Sequence, residues 1–337
     1  MKIDEIAKRA KVSRSTVSRV LNNNPRVNLK TRQLVNHVIQ EMNYVPNAAA
    51  RSLASKRSSV IGVLIYNINQ PYWSGIFSGI EQETADKGFS VLLANFRNAH
   101  TYIGNRSQSI RNLLLQNVDG IIIALYNSPN EDDLELLRTS GKPFVVIQSS
   151  EHSGGFSTVN VDNHLLAYQA TEYLIQMGHT NIYHSTGPLG NQIANDRLAG
   201  YLQAMQDHKL RVTDDHLISC GSMFDDGYWC MKRVIGRQQL PTAMLFHNDI
   251  TAYGAIQACR EEHIRVPEDL SMIGIDHLAS MTDFGSMLPD LTSMTLPITQ
   301  YGVQAAHLLM DQIENNSPVQ NVILPCSLYK GSTVRQL

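Results

Sequence analysis

The chain has 337 residues and a formal net charge of −2, enough length for two or three domains with cores of their own. The charge is unevenly divided. Residues 1–58 hold 12 Lys or Arg against 3 Asp or Glu, a net of +9, and the remainder carries −11, so a small basic module on an acidic body points to an anionic polymer as the module's partner. No apolar run approaches membrane-spanning length and the N-terminus MKIDEIAKRA is polar. The four cysteines and twelve histidines show no zinc-type spacing, which sets aside a membrane, disulfide-framework or metal class and leads to the expectation of a cytoplasmic protein with no cofactor.

In chain order, DEIAKRA (residues 4–10) puts Ile6, Ala7 and Ala10 on one helical face. A break follows at Lys11 and Val12. Ser13 then offers an N-cap to a second helix whose Val17, Val20 and Leu21 turn inward while Arg14, Ser15, Ser18 and Arg19 turn out. Asn28 caps a third, with Leu34, Val35, Val38, Ile39 and Met42 inward. Two short helices across a tight turn, the second basic outside, make a helix-turn-helix. A recognition helix presents its N-terminal residues to base edges in the major groove, which assigns Arg14, Ser15 and Arg19 to bases and Ser13, Thr16 and Thr31 to phosphates.

Next comes AARSLASKR (residues 49–57), where Leu53 stands alone among small and basic residues. Without an apolar partner at helical spacing it cannot belong to a core face. Apolar wedges unstack a base step and kink a duplex, basic neighbours such as Lys56 can hold the backbone, and small residues such as Ala50 let helices approach closely; the alternative is that Leu53 packs on the body as a linker anchor.

From Val60 the chain alternates between apolar runs (VIGVLIY, FSVLLANF, VDGIIIALY, PFVVIQSS, NIYHST, HLISCGS, PTAMLFHN, LSMIGID) and amphipathic stretches. Near-continuous apolar strands with helical crossovers mean parallel sheets covered on both faces, and this length divides into two α/β subdomains. VNVDN and LPDLTSM read as crossings between them. Ligands in such folds sit at the carboxyl ends of strands, between lobes. Those ends supply Asn69, Tyr72, Trp73, Gln148, Asn191, Arg197, Phe224, Asn248 and Asp276. Amides, a carboxylate and an arginine fork suit hydroxyl pairs, and aromatic faces suit the C–H surface of a sugar ring.

IAKRAKVSRSTVSRVLNNNPRVNLKTRQLVNHVIQEMNYVPNAAARSLAS resembles the DNA-binding head and hinge of the LacI–GalR transcription regulators, with one departure: Lys11 stands where the family commonly has glycine. TGPLGNQIANDRLAGYLQAM, TAMLFHNDITAYGAI and SMIGIDH are similar to the family's effector-domain motifs, so the resemblance covers essentially the whole chain. It implies an α/β protein: an all-α helix-turn-helix head (1–45), a hinge helix (46–58), and a periplasmic-binding-protein-like body of two doubly wound parallel-sheet subdomains (59–160 with 293–323, and 161–292 with 324–337). It adds Asn22 to the DNA contacts. It also implies a homodimer on operator DNA, not a membrane. In such a regulator a small-molecule effector, on this inventory a sugar, changes operator affinity allosterically. Ala124 and Leu296 depart from residues that some sugar-binding members have.

GxxxxGK[ST], GxGxxG and GxSxG are all missing, which argues against a sugar kinase, a dinucleotide enzyme or a hydrolase. The expectation is a non-enzymatic repressor of carbohydrate-utilisation genes. The rival readings are control by a phosphorylated protein partner, or by a nucleobase or nucleoside. Leu53→Ala is expected to lower specific operator affinity and abolish operator bending while leaving non-specific binding nearly intact. Gel mobility of circularly permuted operator fragments measures the bend, and a normal bend in the mutant would make Leu53 a packing residue.

Overall fold

The computed structural model describes residues 3–21, 24–42, 44, 57–96, 104–149, 154–188, 190–237, 239–281 and 287–337. The chain divides into two compact units, 1–58 and 59–337.

The first unit contains three helices, α1 (Ile3–Arg9), α2 (Arg14–Leu21) and α3 (Leu29–Glu41). Their shared core is Ile6, Ala7, Ala10, Val17, Val20, Val35 and Val38. The Asn28 side chain accepts from the Thr31 amide and caps α3. One inward expectation fails: Leu34 is 47% exposed. Val35 and Val38 define the buried stripe of α3, and Leu34 lies about 100° of helical rotation from Val35, off that stripe. Lys11 adopts φ +52°, so the turn between α1 and α2 keeps a left-handed residue although no glycine supplies it; the conformation costs about 1–2 kcal/mol for a residue with a Cβ.

The second unit contains two six-stranded sheets. The first lobe is built from β1 (Val60–Ile65), α4 (Pro71–Asp86), β2 (Ser90–Asn95), α5 (Gly104–Leu115), β3 (Gly120–Ala124), α6 (Glu131–Ser140), β4 (Phe144–Ile147) and β5 (Ser157–Asn160). The second has α7 (Asn163–Gln176), β6 (Ile182–Ser185), α8 (Gln192–Asp207), β7 (Leu217–Ile218), α9 (Phe224–Ile235), β8 (Ala243–Leu245), α10 (Asp249–Glu261), β9 (Ser271–Asp276) and β10 (Thr292–Thr295). The chain then returns through α11 (Ile298–Asn315) and β11 (Asn321–Ile323) to the first sheet, and ends with β12 (Ser327–Tyr329) in the second.

The sheet orders are β11-β5-β4-β3-β1-β2 and β12-β10-β9-β8-β6-β7. Every pairing is parallel except β10 with β12. β3 and β9 are buried along their whole length, as strands covered by helices on both faces must be. The chain passes between lobes three times: after β5, after β10 and after β11. The second crossing differs from the expected boundary at 293. Thr292–Thr295 pairs with Ile273–Asp276 of β9, so the first lobe resumes only with α11, which packs on β3, β4 and β5.

Helices α4 and α11 cross with their backbones in contact. A Cβ on Gly302 would fall 1.9 Å from the Ile76 carbonyl oxygen, and one on Gly79 would fall 2.0 Å from that of Thr299. The obstacle is main chain on both sides, so it cannot rotate away. Gly302→Ala is therefore expected to force the helices apart and cost about 1–3 kcal/mol, read as a lower urea midpoint for the body. An unchanged midpoint would mean that the crossing relaxes freely.

Candidate nucleic-acid interface and ligand cleft

In the first unit, α2 begins at Arg14, and Arg14, Ser15 and Arg19 are all exposed. The Ser13 hydroxyl accepts from the Thr16 amide at 3.1 Å and shares hydrogen bonds of 2.8 Å with both the Ser15 and Thr16 hydroxyls. Three hydroxyls thus gather at the positive end of α2, a favourable place for a phosphate. The Arg14 Nε lies 3.7 Å from Asp4 Oδ1, with both side chains mostly exposed. Such a surface pair is worth about 0–1 kcal/mol and yields easily to a competing anion. Thr31 is half-buried, its amide donating to Asn28 at 2.8 Å. Asn22, Ala50, Leu53 and Lys56 lie outside the described residues.

In the second unit a cleft opens between the lobes. Its inner compartment leaves only about 30 Å³ between side chains that include Gln70, Tyr72 and Tyr126 from the first lobe and Arg197, His247 and Asp276 from the second. Gln148, Asn191 and Asn248 also line it, with Ile193 and Ile250, so six of the nine residues expected from strand ends come together: Tyr72, Gln148, Asn191, Arg197, Asn248 and Asp276. Beside it lies an outer compartment of about 530 Å³ that shares Tyr126, Gln148 and Ile193 and is rich in amides and hydroxyls, among them Asn127, Ser128, Asn160 and Gln192.

Three expected residues stand elsewhere and correct the reading of the wall. Asn69 is exposed in the turn before α4. Trp73 is fully buried and stands edge-on to Tyr72 and Tyr126, at 5.0 Å from each ring, so it supports the aromatic wall from behind. Phe224 opens α9, is 43% exposed and lines neither compartment. Gln70, Tyr126, Asn163 and His247 take places in the cleft. The strand-end rule finds Tyr126, the last residue of VDGIIIALY. The same rule reaches His247, beside Asn248 at the end of PTAMLFHN, but residue type gives no sign that its main-chain carbonyl accepts from Arg197.

Arg197 organises the inner compartment. It projects from α8, is 3% exposed, and donates from Nε to Asn163 Oδ1 at 3.0 Å and from Nη1 to the His247 carbonyl. Two of its donors are therefore already used, which narrows the expected fork onto ligand oxygens. No carboxylate among the described residues is within ion-pair distance of it. His184 and His247 are buried and neutral: burial draws His184 down to about 4 and His247 well below the ordinary range, with Arg197 adding to both.

Asn191 and Asn248 cap α8 and α10, accepting from the amides of Ala194 and Thr251. The Asn248 amide nitrogen also donates to the Ser222 carbonyl at 3.0 Å, which commits this side chain to the frame. Gln148 sits at φ +61° directly after β4.

Asp276 ends β9 at φ +122° and is 6% exposed. Burial raises its carboxyl well above the usual range, Arg197 pulls it down, and Asp249 pushes it up. Asp249 accepts from the Ser293 hydroxyl at 2.7 Å and the Leu278 amide at 2.9 Å, yet burial still raises it to about 7. In the same compartment as Asp276, the Tyr72 hydroxyl is buried without a hydrogen-bond partner, as is His247 Nδ1. Buried polar atoms left this way mark a place where a polar ligand or water completes the bonding. The cleft can thus offer a tyrosine hydroxyl from one lobe and a carboxyl from the other to a single small polar group. Across the rim, Gln70 Nε2 donates to Met223 Sδ at 3.1 Å, tying the lobes together.

Residues 58–332 match the family model of periplasmic binding proteins and the sugar-binding domain of the LacI family, and residues 2–47 match that of bacterial regulatory proteins of the lacI family. The HTH-type transcriptional repressor PurR of Pasteurella multocida (strain Pm70) is 33% identical over 95% of this chain and 94% of its own length. Among solved structures, the lac repressor dimer bound to operator and the anti-inducer ONPF is 27% identical with a TM-score of 0.86 over 99% of both chains. The transcriptional regulator CelR in complex with cellobiose is 26% identical with a TM-score of 0.71 over 99% of both. No helix among the described residues is long and apolar enough to cross a membrane.

The buried acids give the body a pH signature. A carboxyl raised to about 7 in the folded state favours folding fully below the unfolded pKa of about 3.9, and that contribution is lost as pH rises through about 7. Asp249→Asn removes the titration. The difference in stability between wild type and mutant is expected to change by up to one proton's slope between about pH 4 and pH 7 and to be flat above, as checked by urea unfolding across that range. A pH-independent difference would place the Asp249 carboxyl in the ordinary range.

Proposed function

The chain belongs to the LacI family of bacterial regulators and is a DNA-binding transcription regulator of that family, and from that premise we propose that its effector is a neutral, polyhydroxylated molecule of about disaccharide size. The observation that carries this reading is the chemistry of the two compartments. Amides and hydroxyls dominate the outer one, and among the described residues Arg197, already bonded to Asn163 and His247, is the sole Lys or Arg lining either. Asp162, Asp196 and Asp276 also line them. A phosphorylated ligand would meet carboxylates with no uncommitted cation to offset them, whereas hydroxyls can donate to carboxylates and accept from amides. The aromatic wall of Tyr72 and Tyr126 suits the C–H face of a sugar ring. The complex of CelR with cellobiose supports the same class.

On this reading the body is a binding module and not an enzyme. The protein works in the cytoplasm as a homodimer that represses carbohydrate-utilisation genes from a two-fold operator, and Arg14, Ser15 and Arg19 read bases while Ser13, Thr16 and Thr31 hold phosphates. The lac repressor dimer on operator supports that assembly. The effector acts by its differential affinity for two arrangements of the lobes, which is worth about 1–3 kcal/mol in such couplings.

The test is operator affinity against a panel of mono- and disaccharides, their phosphates and nucleobases. One neutral disaccharide is expected to change it about 5- to 150-fold. Tyr72→Phe is expected to weaken that sugar's binding by calorimetry by about 0.5–1.5 kcal/mol without altering operator affinity in its absence. A response confined to a nucleobase, to a phosphorylated sugar or to a phosphorylated carrier protein would overturn the effector assignment.

A further inference from the structure

Cys220 and Cys230 lie in one buried cluster of the second lobe, apart from the ligand cleft. Cys220 follows β7 and is 7% exposed; Cys230, in the middle of α9, is 0% exposed. Arg233 of α9 donates to the Ser219 carbonyl and Gly221 abuts the Asp226 side chain, so Cys220 is held against the stretch of α9 that carries Cys230, close enough for the two thiols to influence each other. A surface cavity of about 630 Å³ reaches Cys220 between Asp226, Trp229, Lys232 and Arg233, and Cys230 is not part of its wall. The two sulfurs are therefore unequal in access: one faces a solvent path, the other stands behind it.

We propose that Cys220 and Cys230 form a peroxide-reactive dithiol, with Cys220 as the sulfur that meets the oxidant and Cys230 as the sulfur that resolves it. The Cys220 thiolate attacks one oxygen of hydrogen peroxide and the O–O bond breaks. The leaving hydroxide takes up a proton to become water, and Cys220 becomes a sulfenic acid. The Cys230 sulfur then attacks Cys220 Sγ, the S–O bond breaks, and the departing hydroxide leaves as water with the Cys230 proton. Two electrons pass from the thiols to the peroxide, giving one disulfide and two waters. A dithiol reductant restores the pair.

The electrostatics agree with this order. The Cys230 thiol holds Cys220 below the ordinary thiol range despite burial, and Arg233, which also donates to the Ser219 carbonyl, acts in the same direction. Cys230 is correspondingly pushed up. The other two cysteines have no such neighbour: burial raises Cys259 to about 12 and Cys326 to about 11. Reactivity follows thiolate content as well as access: Cys259 is fully buried, and Cys326, although more exposed than Cys220, holds little thiolate, so Cys220 is the favoured site of attack.

The pair is placed to matter. Two residues beyond Cys220, the Ser222 carbonyl is held by Asn248 at 3.0 Å, and Met223 meets Gln70 of the opposite lobe at 3.1 Å. A bond from Cys220 to α9 would fix the base of the segment that forms the cleft's lip.

The experiment treats the full chain with a small molar excess of hydrogen peroxide at neutral pH, blocks the remaining thiols, and maps non-reduced peptides by mass spectrometry. The expected result is a Cys220–Cys230 cross-linked peptide and a fall from four titratable thiols to two in denaturant, reversed by dithiothreitol. Cys230→Ser should halt at a Cys220 sulfenic acid that dimedone traps, and Cys259→Ser should still form the bridge. Should Cys230→Ser fail to fold, the wild-type peptide map decides alone. Four surviving thiols, a link to Cys259 or Cys326, or Cys220 over-oxidised without a link would overturn the proposal.

Discussion

One buried cation conditions the inner cleft. Arg197 leaves α8 with almost no exposed surface and, among the described residues, no carboxylate at ion-pair distance; its hydrogen bonds go to dipoles, the Asn163 amide at the start of α7 and the carbonyl of His247 just after β8. Those bonds bring two helices and a strand end to one point. Burial keeps His184 and His247 neutral and the Arg197 charge adds to it, while the same charge draws down a buried Asp276 that desolvation alone would raise further. A bare buried guanidinium would be costly, and the site is shaped by the groups that prevent it.

Around that point the frame leaves little freedom. The two sheets repeat one strand order, so the carboxyl ends of both face a common cleft, and three crossings bind them in one unit. Glycines at the crossing of α4 and α11 allow main chain to touch main chain, so the helix that returns from the second lobe is seated directly on the first. A ligand that bonds Tyr72 on one side and Asp276 on the other would register any relative shift of the lobes, which is the physical basis for coupling ligand to lobe arrangement.

The head shows how a motif survives a local departure. Lys11 takes up the left-handed turn that glycine would fill more easily, and the turn holds because Val12 donates back to the Ala7 carbonyl at 3.0 Å and the three helices bury a shared core. The strain is small against that burial, and Ser13, next in line, still caps α2.

Much of this protein was legible in the sequence because its signals are local. Apolar runs named eight of the strands, helical periodicity named the two helices of the turn motif, and the strand-end rule brought together Tyr72, Gln148, Asn191, Arg197, Asn248 and Asp276. The strand Ser157–Asn160 overlaps what reads as a crossing, VNVDN at 159–163, and carries no apolar run, because three of its four residues are polar. They are buried all the same: Ser157 accepts from Gln312 at 2.7 Å, and the Thr158 hydroxyl donates to Asn321 at 3.0 Å, partners more than 150 residues away. Trp73 and Phe224 went astray for the same reason. Residue type says that a ring will be near a site, whereas only packing decides whether it faces the cleft, backs the wall or stands outside. Sequence determined which polar and aromatic residues stand at strand ends and helix starts, through periodicity and residue type. Tertiary structure decided which of their polar groups are free, because hydrogen bonds made across long chain separations had already committed the Asn248 amide and two of the donors of Arg197.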